Sequence, residues 1–278
     1  MTNNVSLCTL DVAITTHTPE GLQRVEAMNL PKISGVSYVI SWQDHRNAPI
    51  PESLLCRHDI NIHRFDQQGL SRNRNNAFDH CKSDIILCSD NDLTYTDEGL
   101  TAVMKAFTDH PDVDFATFRS IHGGSSVIYP SESCRLSLPL PKNYYATSFE
   151  LAFRRRTAGW LRCHPAFGLG SKSMHCGEDE LLLLCAIHRG LNCRFFPITI
   201  CSHPHLSTGT KARLSGKDLR AMGCIIALTY PISFMLRIPL KAYRVHSSRR
   251  SSLAKALWYL TAGALRAPWL FRDRRYLW

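Results

Sequence analysis

The chain has 278 residues, 44% of them apolar, and a formal net charge of +10. That length fits one large α/β domain with an appendage and excludes two full domains of ordinary size, while the apolar content excludes disorder over the whole chain. The charge is concentrated: between Tyr230 and Trp278 stand Arg237, Lys241, Arg244, Arg249, Arg250, Lys255, Arg266, Arg272, Arg274 and Arg275, opposed only by Asp273, so a near-neutral body with a basic tail is expected. Such a tail suits an anionic membrane face or nucleic acid.

The eleven cysteines form no C-x-x-C pair and no zinc-type spacing. Cys88 and Cys185 lie inside apolar runs and read as small buried hydrophobes. The start, MTNNVS, carries no charged or apolar leader, so no signal peptide is expected. Many unpaired thiols point to a reducing compartment, with the cytoplasm as the expectation.

Val5 to Thr16 is a β-forming apolar run followed by a loop and a helix near Gly21–Ala27. Val36 to Trp42 and Ile60 to Phe65 read as the second and third strands. Gly69 to Cys81 reads as a helix, and Asp84 to Cys88 as a short buried strand leading into Ser-Asp-Asn-Asp. A helix from Thr96 to Asp109, with Thr96 or Asp97 as its cap, precedes a strand at Val113 to Phe118. From Gly123 to Ser173 frequent Gly, Ser and Pro weaken every pattern, which reads as loops and irregular strands. Gly177 to Arg189 is helical with acids in its first turn, and Cys193 to Ile200 is a further strand. This alternation predicts a parallel sheet with helices on both faces. Ligands of such sheets bind at the carboxyl ends of strands, where Thr15–Glu20, Gln43–His45 and Asp90–Asp92 fall.

Four constellations carry chemistry. Asp90-Asn91-Asp92 sets two carboxylates at a strand end, within reach of one Mg²⁺ or Mn²⁺ and of phosphate oxygens; the bland alternative is a solvated acidic turn. Gly177-Glu178-Asp179-Glu180 crowds three acids into one helical turn, more than capping needs, and offers a general base of raised pKa. Gly69 to Ala77 opens a helix with Arg72 and Arg74, an anion site or else an ordinary capped helix. His203-Pro-His205 follows the last strand, as metal ligands or as a plain loop.

In their order these segments resemble family 2 glycosyltransferases of the bacterial polysaccharide-biosynthesis type, which have the GT-A fold. GLSRNRNNAFDHCKSDIILCSDNDL is similar to that family's G-x-S-x-x-R-N…D-x-D block, PAFGLGSKSMHCGEDELLLLCAIHRGLNCRFFP to its F-G-x-G…G-E-D segment, and ICSHPHLSTG to its late His. The likeness covers about residues 8 to 210. It implies a mostly parallel, Rossmann-like sheet flanked by helices, as a GT-A catalytic domain over 1–215, while the charge and apolar patterning beyond it predict a helical, basic, membrane-associating tail over 216–278. It also implies Asp92 as the metal ligand, with Asp90 and His203 completing the site, and Mn²⁺ or Mg²⁺ as cofactor. Thr15, Gln43, Asp44, Ser71, Arg74, Asn75, Asp90 and Asn91 would bind the donor. Asp179 would be the catalytic base with Glu178 beside it, and Gly168 and Gly170 would form the acceptor loop. The segment Ser41-Trp42-Gln43-Asp44-His45 departs from the Asp-rich turn common in the family.

The expected activity is therefore metal-assisted, inverting transfer of a sugar, of hexosyltransferase type, from a nucleotide-sugar such as a UDP-sugar to a glycan or lipid-linked oligosaccharide. A sugar-phosphate nucleotidyltransferase is the same-fold alternative; Thr15-Thr16-His17-Thr18-Pro19 lacks the Gly-rich basic loop it would need. A basic nucleic-acid-binding protein, using the tail's aromatics and arginines, is the alternative of another class; no nucleic-acid partner is expected. The uncharged run Met222 to Leu236, broken by Pro231, is too short to span a bilayer, and Leu253 to Phe271 reads as an amphipathic helix. Together they predict a peripheral protein on the cytoplasmic face of the cell membrane.

Overall fold

The computed structural model describes residues 6–123, 129–141, 144, 147–203 and 213–270. His205 and the basic cluster at 272–275 lie outside the described residues. The chain forms two compact units: Met1–Gln68, Arg72–Trp160 and Ala186–Leu206 make the first, and Gly69–Ser71, Leu161–Cys185 and Ser207–Trp278 the second.

The first unit is built on one nine-stranded sheet. Its strands are β1 (Leu10–His17), β2 (Val36–Gln43), β3 (Ile60–Phe65), β4 (Ile85–Ser89), β5 (Thr94–Tyr95), β6 (Phe115–His122), β7 (Cys134–Arg135), β8 (Leu151–Arg154) and β9 (Cys193–His203). They lie in the order β3-β2-β1-β4-β8-β6-β9-β5, with β7 pairing β9. The helices α1 (Pro19–Ala27), α2 (Glu52–Leu55), α3 (Leu70–His80), α4 (Asp97–Asp109) and α5 (Arg155–Ala158) connect them. The continuous apolar runs of β1 and β4 are buried along their length, as expected of central strands covered on both faces. Leu10, Val12, Ile14, Tyr38, Trp42 and Phe118 form part of the core cluster. Cys88 and Cys185 are buried, and none of the eleven cysteines forms a disulfide.

Thr96 caps α4, its hydroxyl accepting from Gly99 N at 3.1 Å. Gly99 then lets the helix sit directly on β9, because a Cβ there would stand 2.4 Å from the Ile200 carbonyl oxygen.

The expected parallel order holds for β3-β2-β1-β4 and for β6 with β9. The sheet as a whole is mixed. β8 runs antiparallel to both β4 and β6, and β5 and β7 run antiparallel to β9. All three extra strands are short; β7 and β8 come from the stretch whose periodicity is weakest, and antiparallel pairing needs no crossover helix to announce it.

The second unit contains most of α6 (Glu178–His188) together with α7 (Gly216–Thr229), α8 (Phe234–Ser247) and α9 (Leu253–Leu270). Ser215 and Asp218 form a reciprocal capping box at the start of α7. α7 and α9 touch backbone to backbone: a Cβ on Gly223 would lie 1.9 Å from the Leu260 carbonyl oxygen, and one on Gly263 would lie 2.0 Å from that of Arg220. Pro231 falls between α7 and α8, where it breaks the helical path within the uncharged run. No helix among the described residues is long and apolar enough to cross a membrane.

Candidate functional site

Parallel pairing brings the carboxyl ends of β1, β2 and β4 to one edge of the first unit. His17 stands opposite Gln43 and Ile14 opposite Ser89, so Thr15, Gln43 and Asp90–Asp92 emerge together. The Thr15 hydroxyl reaches the Ser89 carbonyl at 3.5 Å. Asn91, the middle residue of the acidic triplet, turns into the protein: its amide donates to Thr16 Oγ1 at 2.7 Å. Asn73 donates to the Thr16 carbonyl at 2.9 Å. With Asn91 fastened to β1, the two carboxylates remain about one-third exposed, at 31% for Asp90 and 35% for Asp92.

Their surroundings differ. Asp90 Oδ1 lies 3.1 Å from Nη2 of the buried Arg74, and Asp90 Oδ2 accepts from Ser148 Oγ at 3.3 Å. Asp92 Oδ2 lies 3.4 Å from His203 Nε2. The His203 ring is held flat against Phe149, with centroids 5.6 Å apart and an interplanar angle of 5°. Behind Phe149 the buried Glu150 carboxylate accepts from the hydroxyls of Ser120 and Tyr129 and, at 2.9 Å, from Thr147 N. His122 Nε2 is 3.8 Å from the same carboxylate.

Sequence reasoning passed over Ser148, Phe149, Glu150 and His122. The one sequence signal was Thr147-x-x-Glu150, a capping-box spacing inside an otherwise patternless stretch.

Among the donor-side residues named from the sequence, Gln43 donates its amide to the Gln67 carbonyl. Asp44 adopts a left-handed φ of +46° and pairs with Arg46 at 2.9 Å. That hydrogen bond is the first reason its carboxyl lies below the ordinary range. Asn75 is half-buried on α3.

Ser71 belongs to the second unit, where its hydroxyl donates to the Phe167 carbonyl at 2.7 Å. Leu70 N donates to the Leu169 carbonyl at 2.9 Å, so the start of α3 straps the glycine loop. Gly168 and Gly170 have φ of +89° and +79°, which glycine adopts without steric cost. A Cβ on Gly168 would also stand 3.1 Å from Ser71 Oγ and 3.3 Å from the Glu178 carboxyl. Glu178 is buried and Asp179 half-buried in the first turn of α6. Of the three acids, Glu180 has its pKa raised, first by desolvation, with Lys241 opposing and Glu178 adding. Burial therefore outweighs the mutual repulsion that the sequence suggested as the cause.

No three His, Cys, Asp or Glu side chains among the described residues form a ready cation cage. The donor chemistry still fits Mn²⁺ or Mg²⁺, because such ions are commonly held by one or two protein ligands and substrate phosphates. Asp92 and His203 offer one oxygen and one nitrogen 3.4 Å apart, with the carboxylate open to solvent.

Residues 53–175 match the sequence model of Glycosyl transferase family 2. No curated protein sequence matches. Among solved structures, S. aureus TarS 1-349 superposes with a TM-score of 0.60 at 12% identity, covering 94% of this chain and 91% of that one. TarS 1-349 in complex with UDP gives 0.58 at 14% identity over 94% and 91%. Its complex with UDP-GlcNAc gives 0.59 at 13% identity over 94% and 92%. The fold matches that of the TarS structures, the GT-A fold, and residues 53–175 of the chain are similar to glycosyl transferase family 2.

Proposed function

We propose that the chain is a metal-assisted, inverting transferase of hexosyltransferase type that moves a sugar from a UDP-sugar to a hydroxyl of a glycan or lipid-linked oligosaccharide. The observation that carries this reading is the exposed Asp92 carboxylate set against His203 at the carboxyl edge of the sheet. The UDP and UDP-GlcNAc complexes of TarS, which shares the fold, support the choice of donor.

In this reading Asp92 and His203 hold the Mn²⁺ or Mg²⁺. When bound, the ion supplies Lewis-acid neutralisation of the donor diphosphate. Asp90, fixed by Arg74 and Ser148, faces the donor ribose, and Arg74 contributes a buried positive charge. Thr15, Gln43, Asp44 and Asn75 line the nucleotide, and Asn91 keeps the acidic turn in place. The Asp179 carboxylate takes the proton from the acceptor hydroxyl. The acceptor oxygen bonds to the anomeric carbon as the bond from that carbon to the diphosphate oxygen breaks on the opposite face, releasing UDP. Gly168 and Gly170 allow the loop to close over the sugar and exclude water. Residues 1–215 act as the catalytic part, and 216–278 associates peripherally with the inner face of the cell membrane.

The test is a panel of sugar nucleotides incubated with purified protein and Mn²⁺, read as free nucleotide released. Turnover of a UDP-sugar, abolished by EDTA and restored by Mn²⁺, is the expected result. No turnover of any donor, or turnover indifferent to EDTA, contradicts the reading.

A further inference from the structure

α8 and α9 each bury one stripe and expose an apolar one opposite. α8 buries Ile238, Ala242 and Val245, while Met235, Leu236, Leu240 and Tyr243 are 60–75% exposed. At 100° per residue Leu236, Leu240 and Tyr243 fall within one arc opposite the first set, while Met235 lies beside Ala242 near the start of the helix. α9 buries Ala256, Leu260, Ala264 and Ala267 and exposes Trp258, Leu265 and Trp269, spaced i, i+7 and i+11. Single exposed hydrophobes need no explanation, but an exposed stripe on each of two neighbouring helices does.

The flanking charge says what covers them. Arg237 and Arg244 border the α8 stripe, and Lys255 and Arg266 border that of α9; all four are exposed. No Asp or Glu occurs between Asp218 and Asp273. Tryptophan, tyrosine and arginine beside aliphatic side chains match the headgroup layer of a bilayer, and a purely cationic rim matches anionic lipid.

We propose that the outward faces of α8 and α9 are a docking surface for an anionic lipid bilayer. The apolar stripes enter the headgroup layer and the four cations meet lipid phosphates. The same compact unit carries the acidic turn of α6. Ile225 of α7 packs on Gly177, where a Cβ would meet its Cδ1 at 2.4 Å, and the Lys241 charge of α8 acts on Glu180. A docked bilayer and Asp179 thus belong to one body, which suits an acceptor anchored in that bilayer; this last step rests on the proposed transfer, and the docking does not.

The experiment is flotation of the full chain with phosphatidylglycerol–phosphatidylcholine vesicles and with pure phosphatidylcholine vesicles, for the unchanged protein, Leu236→Glu/Leu240→Glu and Arg237→Glu/Arg244→Glu. UDP-sugar hydrolysis and oligomeric state are measured on each. These residues are exposed, so the variants keep the fold. The expected result is salt-sensitive binding to the anionic vesicles only, weakened about tenfold or more by the apolar pair and roughly five-fold per basic side chain removed, with hydrolysis unchanged. Equal binding to neutral vesicles, no flotation at low salt, or a dimer that the apolar pair dissociates without any lipid binding overturns the proposal. Lost flotation with intact hydrolysis removes the docking surface alone, whereas retained flotation without hydrolysis upholds it and removes the transferase reading.

Discussion

His203 Nε2, at the end of β9, stands 3.4 Å from Asp92 Oδ2, in the turn before β5, although the two residues lie far apart in the chain. The register explains it. β5 pairs antiparallel with β9, Thr94 opposite Ser202, so the residue two places before β5 meets the last residue of β9. Phe149 then fixes the plane of the imidazole. The pair depends on three segments, none of them adjacent in sequence.

Asp92→Asn should lower transfer by at least about 10²-fold, the order expected when a metal's charge stabilisation is lost. The check is product formation with and without EDTA, with Mn²⁺ added back. Unchanged turnover in the variant, or in metal-stripped enzyme, rules the assignment out.

Asp179→Asn should cut transfer by roughly 10²–10⁴-fold, as removal of a general base does. Nucleotide affinity by calorimetry should stay near that of the unchanged protein, because the base acts on the acceptor. A variant that loses UDP binding instead would refute the role.

Glu180 carries a raised pKa in the fold, so its ionised form is disfavoured there relative to the unfolded chain. The cost is absent below the ordinary carboxylate value of 4.5 and appears as pH rises through the raised value. Glu180→Gln should therefore raise Tm at neutral pH, with a gain that shrinks toward zero as pH falls to the ordinary value. A gain that is constant across the pH range contradicts this.

Glu150→Ala strands the buried hydroxyls of Ser120 and Tyr129 and the Thr147 amide. A loss of about 2 kcal/mol or more is expected from unsatisfied buried groups. Chemical denaturation measures it, and Glu150→Gln should recover part of the loss.

Gly168→Ala forces a side chain into a φ of +89°. The strain costs about 1–3 kcal/mol. The new Cβ also crowds Ser71 and Glu178. Reduced Tm together with reduced transfer is expected; a fully active, equally stable variant would show that the loop tolerates a side chain.

The deletion of α8 and α9 is a poor probe of membrane association. Gly223 and Gly263 bring α7 and α9 into backbone contact, and removing α9 exposes that seam. Point substitutions on the exposed stripes leave it intact.

By itself the sequence determined the central strands, the helices α3, α4, α6 and α9, and the positions of Asp90, Asp92 and Glu178–Glu180. These rest on local signals: continuous apolar runs, helical periodicity and acids at element ends. The tertiary structure alone decided that β8 enters the sheet antiparallel, that Ser148, Phe149 and Glu150 back the acidic turn, and that α7 seats the start of α6. A four-residue strand and a three-residue turn have too few positions to show a period. Partners brought together by pairing register or by glycine contact leave no trace in the spacing of either segment. The same limit applies to Glu180, whose raised pKa comes first from desolvation, a property of what packs around it and not of its neighbours in the chain.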